Sequence, residues 1–523
     1  SISMSGGVLD ADNSLTVSGT LTHTGNITID VLTDKTLTYS RAIVIGSNTI
    51  TLSGGGKIDV GPGPYGFTLD NPNSKLILNS VTVTCISSSV ESLGVEILED
   101  STLYGGFNIR ETVPLSISDG KKFSVSHVYL TQGSLNLVGS GELAATISMG
   151  EGTTLDIDET STVSGGALNL SNNVTIDIAS GKTLTRNGPE TSIGANTLTI
   201  SGGGTLSNAN AIILDNVDSK LLMNTVTVDS VSTSADSSGL DIDADSTVTS
   251  LSVGNITPVA IADGSSLSGA ITVTAGSIKL TETGTLDSSI SMSGGVLDAD
   301  NSLTVSGALT QSGDIEIDVL TDKTLSYTGA ALRVGAKTLT LSGGGTFSNT
   351  NASNPLDPPV LILNHGEGLL SLAGILTITG QVVATSSSPG KGIQVLSSAT
   401  IGDLRSESHE SNLAIAANQT LDGELTITAS QDRAYIGELN ISGDGEYTGN
   451  IALAGGKLNA VDDLTLAGTV SISTSSEIFV STGSTLVLNQ TGGLSLGANT
   501  LTLSGGGNFQ SVGLDLNDAD SKL

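Results

Sequence analysis

Short segments in which apolar and polar residues alternate run through the whole chain. Successive side chains of a β-strand point to opposite faces, so each segment predicts a short strand with one buried face. No stretch shows a convincing helical period, and we therefore predict an all-β chain. The alternating apolar pairs recur about every seven or eight residues, for example at Ile27/Ile29, Leu37/Tyr39, Ile50/Leu52 and Ile58/Val60.

A twelve-residue motif marks a larger repeat. It contains a Gly-led turn, a strand in which Thr alternates with Leu or Ile, and a Gly triplet that permits positive φ and an immediate turn. The alternation predicts that Leu198, Leu339 and Leu501 point inward and that Thr199, Thr340 and Thr502 point outward. The motif occurs as IGSNTITLSGGG at 45–56, IGANTLTISGGG at 193–204, VGAKTLTLSGGG at 334–345 and LGANTLTLSGGG at 496–507.

Longer duplications divide the chain. The segment 1–19 returns unchanged at 289–307, and a second motif ending in Ser-Lys-Leu follows the Gly triplets at 69–76, 214–221 and 517–523. Such self-similarity is typical of repeat architectures. We predict one continuous β-solenoid over residues 1–523, with large repeats at 1–145, 146–288 and 289–449 and a partial repeat at 450–523.

The strand spacing predicts the fold. Three alternating strands per coil give about 20–24 residues per coil, which is typical of a parallel β-helix. The competing all-β fold, a string of sandwich domains, would need longer strands and aromatic cores. The chain has 2% aromatic residues and no Trp, a composition that favours a narrow aliphatic interior. Irregular segments after the Gly triplets, at 61–66 and 349–359, are expected to form loops on which any binding would depend.

The charge balance restricts the partners. The chain has 19 basic and 52 acidic residues, a net charge of −33 and a pI near 4.1. The only basic cluster is the pair Lys121 and Lys122, so we expect neither nucleic acid nor anionic membrane as a partner. The longest uncharged apolar stretch, 369–384, is too short to span a bilayer, so we expect no membrane insertion. An acidic, Ser- and Thr-rich surface is typical of an extracellular or high-salt setting.

The Ser/Thr/Gly/Asn-rich coils, the SGGG turns and the large duplications resemble the passenger regions of bacterial autotransporters, filamentous-haemagglutinin-like adhesins and giant surface-fibre proteins. That resemblance implies a right-handed parallel β-helix at the cell surface and a role in adhesion, aggregation or filament formation. It also implies that a cell-surface or carbohydrate ligand is possible.

Candidate catalytic residues are few. The histidines His23, His127, His365 and His409 lie far apart without a local catalytic signature, so we expect solvated side chains. The single cysteine, Cys85, follows an alternating segment and is expected to be a buried apolar residue. The alternative function, a polysaccharide-acting β-helix enzyme, would need carboxylates clustered with Arg or Lys. The carboxylate pairs Asp156/Asp158 and Asp298/Asp300 instead recur in the repeat, which favours an architectural role, and we predict a non-enzyme without catalytic, cofactor or metal residues.

Two other chemistries stay open as lesser alternatives. Asp241, Asp243 and Asp245 are predicted on one strand face with Leu240, Ile242 and Ala244 on the other. They could favour calcium, although Ca²⁺ takes six to eight oxygens. Thr-x-Thr pairs such as Thr197/Thr199 suggest an ice-binding face, but Thr is also a favourable strand residue.

The two termini of the sequence lie within the repeat pattern. An unpaired end coil exposes backbone donors and acceptors, so we expect either end-to-end self-association or a place inside a longer chain. We therefore predict an extracellular structural or adhesive protein that forms a long rod or filament on or outside a bacterial cell.

Overall fold

The computed structural model describes residues 1–61, 66–348, 360–374, 376–385, 391–406, 410–428, 437–516 and 518–523. The protein is an all-β parallel β-solenoid of about 23 turns with about 21 residues per coil. The predicted fold class and coil length are confirmed, whereas the handedness and the repeat boundaries stay predictions. The chain divides into two compact units, Ser1–Leu251 and Ser252–Leu523.

Each coil contributes strands to three parallel ladders, in which a strand pairs with the equivalent strand of the next coil. The second and third ladders meet at a corner, and in several coils one long strand crosses that corner and belongs to both. Pairing of this kind satisfies backbone groups between coils, so each coil is stabilised by its neighbours.

In the unit Ser1–Leu251, the first ladder consists of Gly7–Ala11, Ile27–Val31, Thr49–Ser53, Lys75–Asn79, Gly94–Glu99, Val113–Ile117, Ser134–Leu137, Thr154–Ile157, Val174–Ile178, Thr197–Ser201, Lys220–Asn224 and Gly239–Ala244. The second ladder contains Leu15–Val17, Thr36–Tyr39, Lys57–Val60, Thr82–Val83, Thr183–Arg186 and Thr205–Asn208. The third contains Ile2–Met4, Leu21–His23, Ile43–Val44, Phe67–Leu69, Ile86–Ser88, Thr191–Ser192 and Ile212–Leu214. The strands that cross the corner are Ser101–Ile109, Lys122–Leu130, Glu142–Met149, Ser161–Leu170 and Thr227–Thr233, and Ser246–Val253 includes the unit boundary.

In the unit Ser252–Leu523, the first ladder consists of Ile256–Ile261, Ser277–Leu280, Val296–Ala299, Ile315–Val319, Thr338–Ser342, Leu369–Leu372, Gly392–Val395, Ser411–Ile415, Glu438–Ser442, Lys457–Ala460, Ser476–Val480 and Leu501–Gly505. The second ladder contains Leu303–Val305, Thr324–Tyr327, Thr346–Ser348, Glu446–Tyr447, Leu464–Leu466, Thr485–Leu488 and Asn508–Ser511. The third contains Leu309–Gln311, Leu332–Val334, Val360–Leu363, Asn450–Ala454, Val470–Thr474, Leu494–Ser495 and Leu514–Asp515. The strands that cross the corner are Ser266–Val273, Thr285–Met292, Leu376–Ala384, Ala399–Ser406 and Thr420–Thr428.

The interior is filled by rows of aliphatic side chains. Leu198 pairs with Val174 in one neighbouring coil and with Leu221 in the other, and its side chain is 0% exposed. Leu339 and Leu501 are equally buried. The threonines that follow these leucines are half-buried or exposed on the opposite side. The predicted inward and outward positions are therefore confirmed.

The Gly triplet closes the turn for a steric reason. Gly343, the first glycine of its triplet, has a φ of +94°, and a Cβ placed there would lie 2.4 Å from the carbonyl oxygen of Val319 in the preceding coil. Both the conformation and the close approach exclude a side chain. The first glycines of the other triplets share the positive φ and the collision with the coil below, at Gly54, Gly202 and Gly505.

The two repeated motifs bind each other across neighbouring coils. The backbone N–H of Gly46 in the first motif donates to Asp70 Oδ1 at 2.8 Å, and Ser74 Oγ donates to the Gly46 carbonyl at 2.6 Å. Asp70 and Ser74 belong to the Ser-Lys-Leu motif, which therefore stabilises the turn that opens the strand of the preceding coil. The second repeat has the same pair of bonds: the Gly194 N–H donates to Asp215 Oδ1, and Ser219 Oγ donates to the Gly194 carbonyl.

One interior position of the second repeat carries a charged side chain. Arg186 is 4% exposed, and it occupies the repeat position that Tyr39 and Tyr327 fill in the first and third repeats. Its Nη1 donates to the Pro189 carbonyl at 2.6 Å, but its Nη2 is buried without a hydrogen-bond partner. Burial lowers the pKa of this guanidinium. A buried charge without a full set of partners destabilises a fold.

Arg186→Tyr is therefore expected to raise the stability of the protein by about 1–3 kcal/mol, because it removes a buried unsatisfied donor. The new hydroxyl should accept a bond from the Leu168 N–H, as Tyr39 accepts one from Leu21 N at 3.1 Å. Urea unfolding followed by circular dichroism measures the change. The reverse substitution, Tyr39→Arg, is the matched control and should lower stability; a gain from both changes would contradict this account.

Candidate functional site

Cys85 lies inside the corner between the second and third ladders. Its thiol is buried, and Sγ lies 3.0 Å from the Gly106 carbonyl oxygen of the next coil. Burial raises the pKa of Cys85. A buried thiol with a raised pKa is a poor nucleophile, so the expectation of a buried apolar residue is confirmed.

The histidines differ in their surroundings. His365 is exposed, as expected, and accepts a bond at Nδ1 from the Glu367 N–H at 3.1 Å. His23 and His127 were also expected in solvent, but both are half-buried and bonded. His23 Nδ1 lies 3.2 Å from the Gly25 carbonyl oxygen, and Nε2 lies 3.0 Å from the Val44 carbonyl oxygen of the next coil. His409 lies outside the described residues.

The repeated carboxylates form rows along the first ladder. Asp156 pairs with Asp177 in the next coil, as Asp298 pairs with Asp318. Burial, with the charges of Asp158 and Asp177, raises the pKa of Asp156 to about 6. Asp298 also has a raised pKa, mainly because of burial and Asp300, but Lys279 opposes the shift. Stacked like charges are unfavourable, so these rows are a strained part of the architecture.

A raised pKa means that folding favours the protonated Asp156, so its contribution to stability is lost as pH rises from about 4 through 6. Asp156→Asn is therefore expected to stabilise the protein at pH 7, because it removes a carboxylate whose charged form is disfavoured in the fold. The gain should be about 1 kcal/mol, since solvent screens part of the repulsion at a half-exposed site. The substitution should also flatten the pH dependence of the free energy of unfolding between pH 4 and 6.

The control for this change is Asp298→Asn. Lys279 Nζ lies 3.4 Å from Asp298 Oδ2 and 2.8 Å from Asp300 Oδ2, and it stabilises the charged carboxylates. The gain in stability from Asp298→Asn should therefore be smaller. Melting temperatures of both variants at pH 4, 5, 6 and 7 test the prediction, and an equal gain from the two changes would show that Lys279 does not offset the strain at Asp298.

The predicted line of three carboxylates is interrupted. Asp241 and Asp243 point away from the interior, but a register shift pairs Asn224 with Ala244, where the strand ends, and Asp245 lies beyond it. Lys220 forms an ion pair with Asp241. Among the residues that the structure describes, no group of three or more His, Cys, Asp or Glu side chains has a metal-binding arrangement. Calcium binding stays an untested alternative.

The paired threonines form short rows. Thr154, Thr175 and Thr199 follow one another on successive coils, and Leu222 then takes the next position. This row is therefore not a continuous Thr array, as the irregular spacing predicted. Of the expected binding loops, residues 62–65 of the first and all of 349–359 lie outside the described residues.

A cluster that the sequence analysis missed lies on the outer surface of the unit Ser1–Leu251. We call Tyr104, His127 and Tyr129 the tyrosine platform. Tyr104 and Tyr129 are each 41% exposed, whereas the other described Tyr and Phe side chains are buried or half-buried. The two tyrosines lie on the paired strands Ser101–Ile109 and Lys122–Leu130, on either side of the corner between the second and third ladders.

Tyr129 is held by its neighbours. Its ring stacks on the His127 ring with centroids 4.0 Å apart and planes 12° from parallel. His127 Nε2 is in turn 2.7 Å from Ser148 Oγ in the next coil. On the other side, a Cβ at Gly106 would lie only 3.1 Å from Tyr129 Cε2, so the glycine leaves room for the ring. One face of the ring thus contacts His127 and one edge contacts Gly106, and the residue is still 41% exposed.

Tyr104 is fixed by an ion pair. Lys57 Nζ lies 4.4 Å from the centroid of the Tyr104 ring, and the Tyr104 hydroxyl donates to Asp59 Oδ1 at 2.9 Å. Lys57 and Asp59 are themselves 3.2 Å apart, so their charges largely compensate each other. The contacts with Tyr104 and Asp59 raise the pKa of Lys57.

Polar side chains surround the platform. Asn108 and Ser148 pair with Tyr129 in the preceding and following coils, and Asn169 Nδ2 donates to Ser148 Oγ at 3.4 Å. Ser126 Oγ donates to the Tyr104 carbonyl at 3.2 Å and connects the two tyrosine-bearing coils. Tyr129 is therefore a held aromatic side chain with amides and hydroxyls beside it, and Tyr104 lies in the adjacent coil on the other side of the corner.

No protein-family model, curated protein or solved structure matches the chain. We therefore state its class as a repetitive parallel β-solenoid and assign no family. The described residues include no helix that is long and apolar enough to cross a membrane.

Proposed function

We propose that this protein is an extracellular structural protein that adheres to other surfaces, on or outside a bacterial cell. The observation that supports the proposal best is the division of side chains between the two sides of the strands. Inward positions are mostly aliphatic, and outward positions are mostly Thr, Ser, Asn and Asp. A repetitive scaffold of this kind presents an extended hydrated surface, which suits adhesion and mechanical support.

The charge of the chain supports the same proposal. At −33, the surface repels other acidic surfaces at low salt, and the repulsion is screened at the ionic strength of extracellular fluids. Adhesion by such a protein must therefore use contacts other than attraction to anions. Self-association, predicted from the repeat pattern, is a further proposed contact.

The test uses beads coated with the purified chain and control beads coated with an unrelated protein of similar negative charge. Attachment to cell layers and to polysaccharide films is measured under flow at several salt concentrations. We expect the coated beads to resist detachment and the resistance to persist at high salt. Detachment equal to that of the control beads would contradict an adhesive function.

The same films test the alternative function. A polysaccharide-acting enzyme would release reducing ends from the film, whereas an adhesive protein leaves the polymer intact. Release that depends on the protein concentration would replace the adhesive proposal by the enzymatic one.

A further inference from the structure

We propose that the tyrosine platform binds the apolar face of a neutral hexopyranose within an oligosaccharide. The inference rests on the proposed adhesive function and names its ligand and contact residues. Pyranose rings carry C–H groups on their faces and hydroxyls at their edges. A ligand of this kind needs an aromatic surface with hydrogen-bonding groups beside it, which is the arrangement around Tyr129.

The exposure of the tyrosines is the first argument. Aromatic side chains contribute much of the burial energy in folded proteins, and most of the Tyr and Phe side chains that the structure describes are buried. Tyr104 and Tyr129 are exceptions in adjacent coils, at a corner where small residues such as Gly106 make room for a ring. Neither ring fills the interior, so their role is not to stabilise the core.

The rigidity of the platform is the second argument. Tyr129 is clamped by His127 and Gly106, and Tyr104 by Lys57 and Asp59. Binding to a side chain that is already ordered loses little conformational entropy, so weak stacking contacts give measurable affinity. The amides of Asn108 and Asn169 and the hydroxyl of Ser148 lie in the same row as Tyr129. Asn108 Nδ2 donates to Cys85 Sγ at 3.6 Å and Ser148 Oγ accepts from Asn169 Nδ2, so the amide oxygens of Asn108 and Asn169 are the acceptors that this row offers to sugar hydroxyls.

The charges of the platform and of the chain favour neutral over acidic sugars. The ion pair of Lys57 and Asp59 is compensated, so the platform offers no free cation to a carboxylate or sulfate. The net charge of −33 also repels acidic glycans. Uronic acids, sialic acids and sulfated sugars are therefore disfavoured, and neutral hexoses remain.

The experiment measures binding of neutral tetrasaccharides of glucose, mannose and galactose, with tetragalacturonate as the acidic probe. Saturation-transfer NMR detects contact, and tyrosine fluorescence gives the affinity, since the chain contains no Trp to mask it. We expect at least one neutral probe to bind and tetragalacturonate not to bind. Tyr129→Ala should weaken binding about tenfold, the loss of one aromatic stacking contact, and Tyr129→Phe should keep most of it.

Val217→Ala is the matched control, because Val217 is 65% exposed in the same unit and lies outside the platform. Circular dichroism verifies that each variant folds, and Tyr104→Ala is a second, independent variant that should also weaken binding. Neutral binding that is unchanged in both tyrosine variants overturns the site. Binding of tetragalacturonate alone overturns the ligand class.

The bead assay separates this inference from the proposed function. If the coated beads attach but no tetrasaccharide binds, the glycan inference fails and the adhesive function stands. If the beads also detach like the controls, the adhesive function fails as well.

Discussion

Leu198→Asp is expected to destabilise the protein by about 4 kcal/mol or more, because it places an unpaired carboxylate in a dry aliphatic row. Leu198 is 0% exposed and lies between Val174 and Leu221 of the neighbouring coils. Neither neighbour can donate a hydrogen bond from its side chain. Because each coil is stabilised by the coils beside it, the damage should extend beyond one strand.

Thr199→Asp is the matched control, one residue along the same strand. Thr199 pairs with Thr175 and Leu222 on the outer side, where the new carboxylate remains solvated. The expected cost is below about 1 kcal/mol. Urea unfolding followed by far-ultraviolet circular dichroism compares the two variants, and equal midpoints would show that the inward and outward positions have been assigned incorrectly.

Gly343→Ala should have the second large effect, a loss of about 3 kcal/mol or more. The added methyl group would lie 2.4 Å from the Val319 carbonyl oxygen, at a φ of +94° that alanine rarely adopts. The collision is with backbone of the preceding coil, which cannot move aside without breaking ladder hydrogen bonds.

Gly335→Ala is the control for this substitution. Gly335 lies in the same repeated motif, but a Cβ there would meet no atom within 4 Å. Its replacement should change the melting temperature by only a few degrees or less. A similar loss from both substitutions would indicate that chain entropy, and not the collision between coils, explains the glycine triplet.

Much of the fold could be predicted from the sequence because the relevant physics is local. A strand has a side-chain period of two, so Leu198 and Thr199 are assigned to opposite sides from the order of residues alone. The spacing of such strands also predicted the coil length. The motif that contains Gly343 could be identified as a turn because only glycine adopts its backbone conformation freely.

The contacts between coils could not be predicted in this way. The Ser-Lys-Leu motif was evident as a repeat, but its role in holding Gly46 depends on which coil lies beneath which turn. Arg186 occupies the repeat position at which the first and third repeats have Tyr39 and Tyr327. An arginine in place of a buried tyrosine was the one indication in the sequence that a charged side chain is buried there. The line through Asp241, Asp243 and Asp245 is less regular than alternation predicts, because the register shifts against the neighbouring strand. The sequence of the segment alone does not indicate such a shift.

The tyrosine platform shows the same division between local and long-range information. Alternation along each strand is local chemistry, and it was sufficient to derive an all-β solenoid with an aliphatic interior. Whether Tyr129 stacks on His127 above Gly106, beside Ser148 and Asn108, depends on the pairing register of residues about one coil apart in the chain. That register is selected by the packing of the whole stack, since a ladder gains its hydrogen bonds only when neighbouring coils are in place.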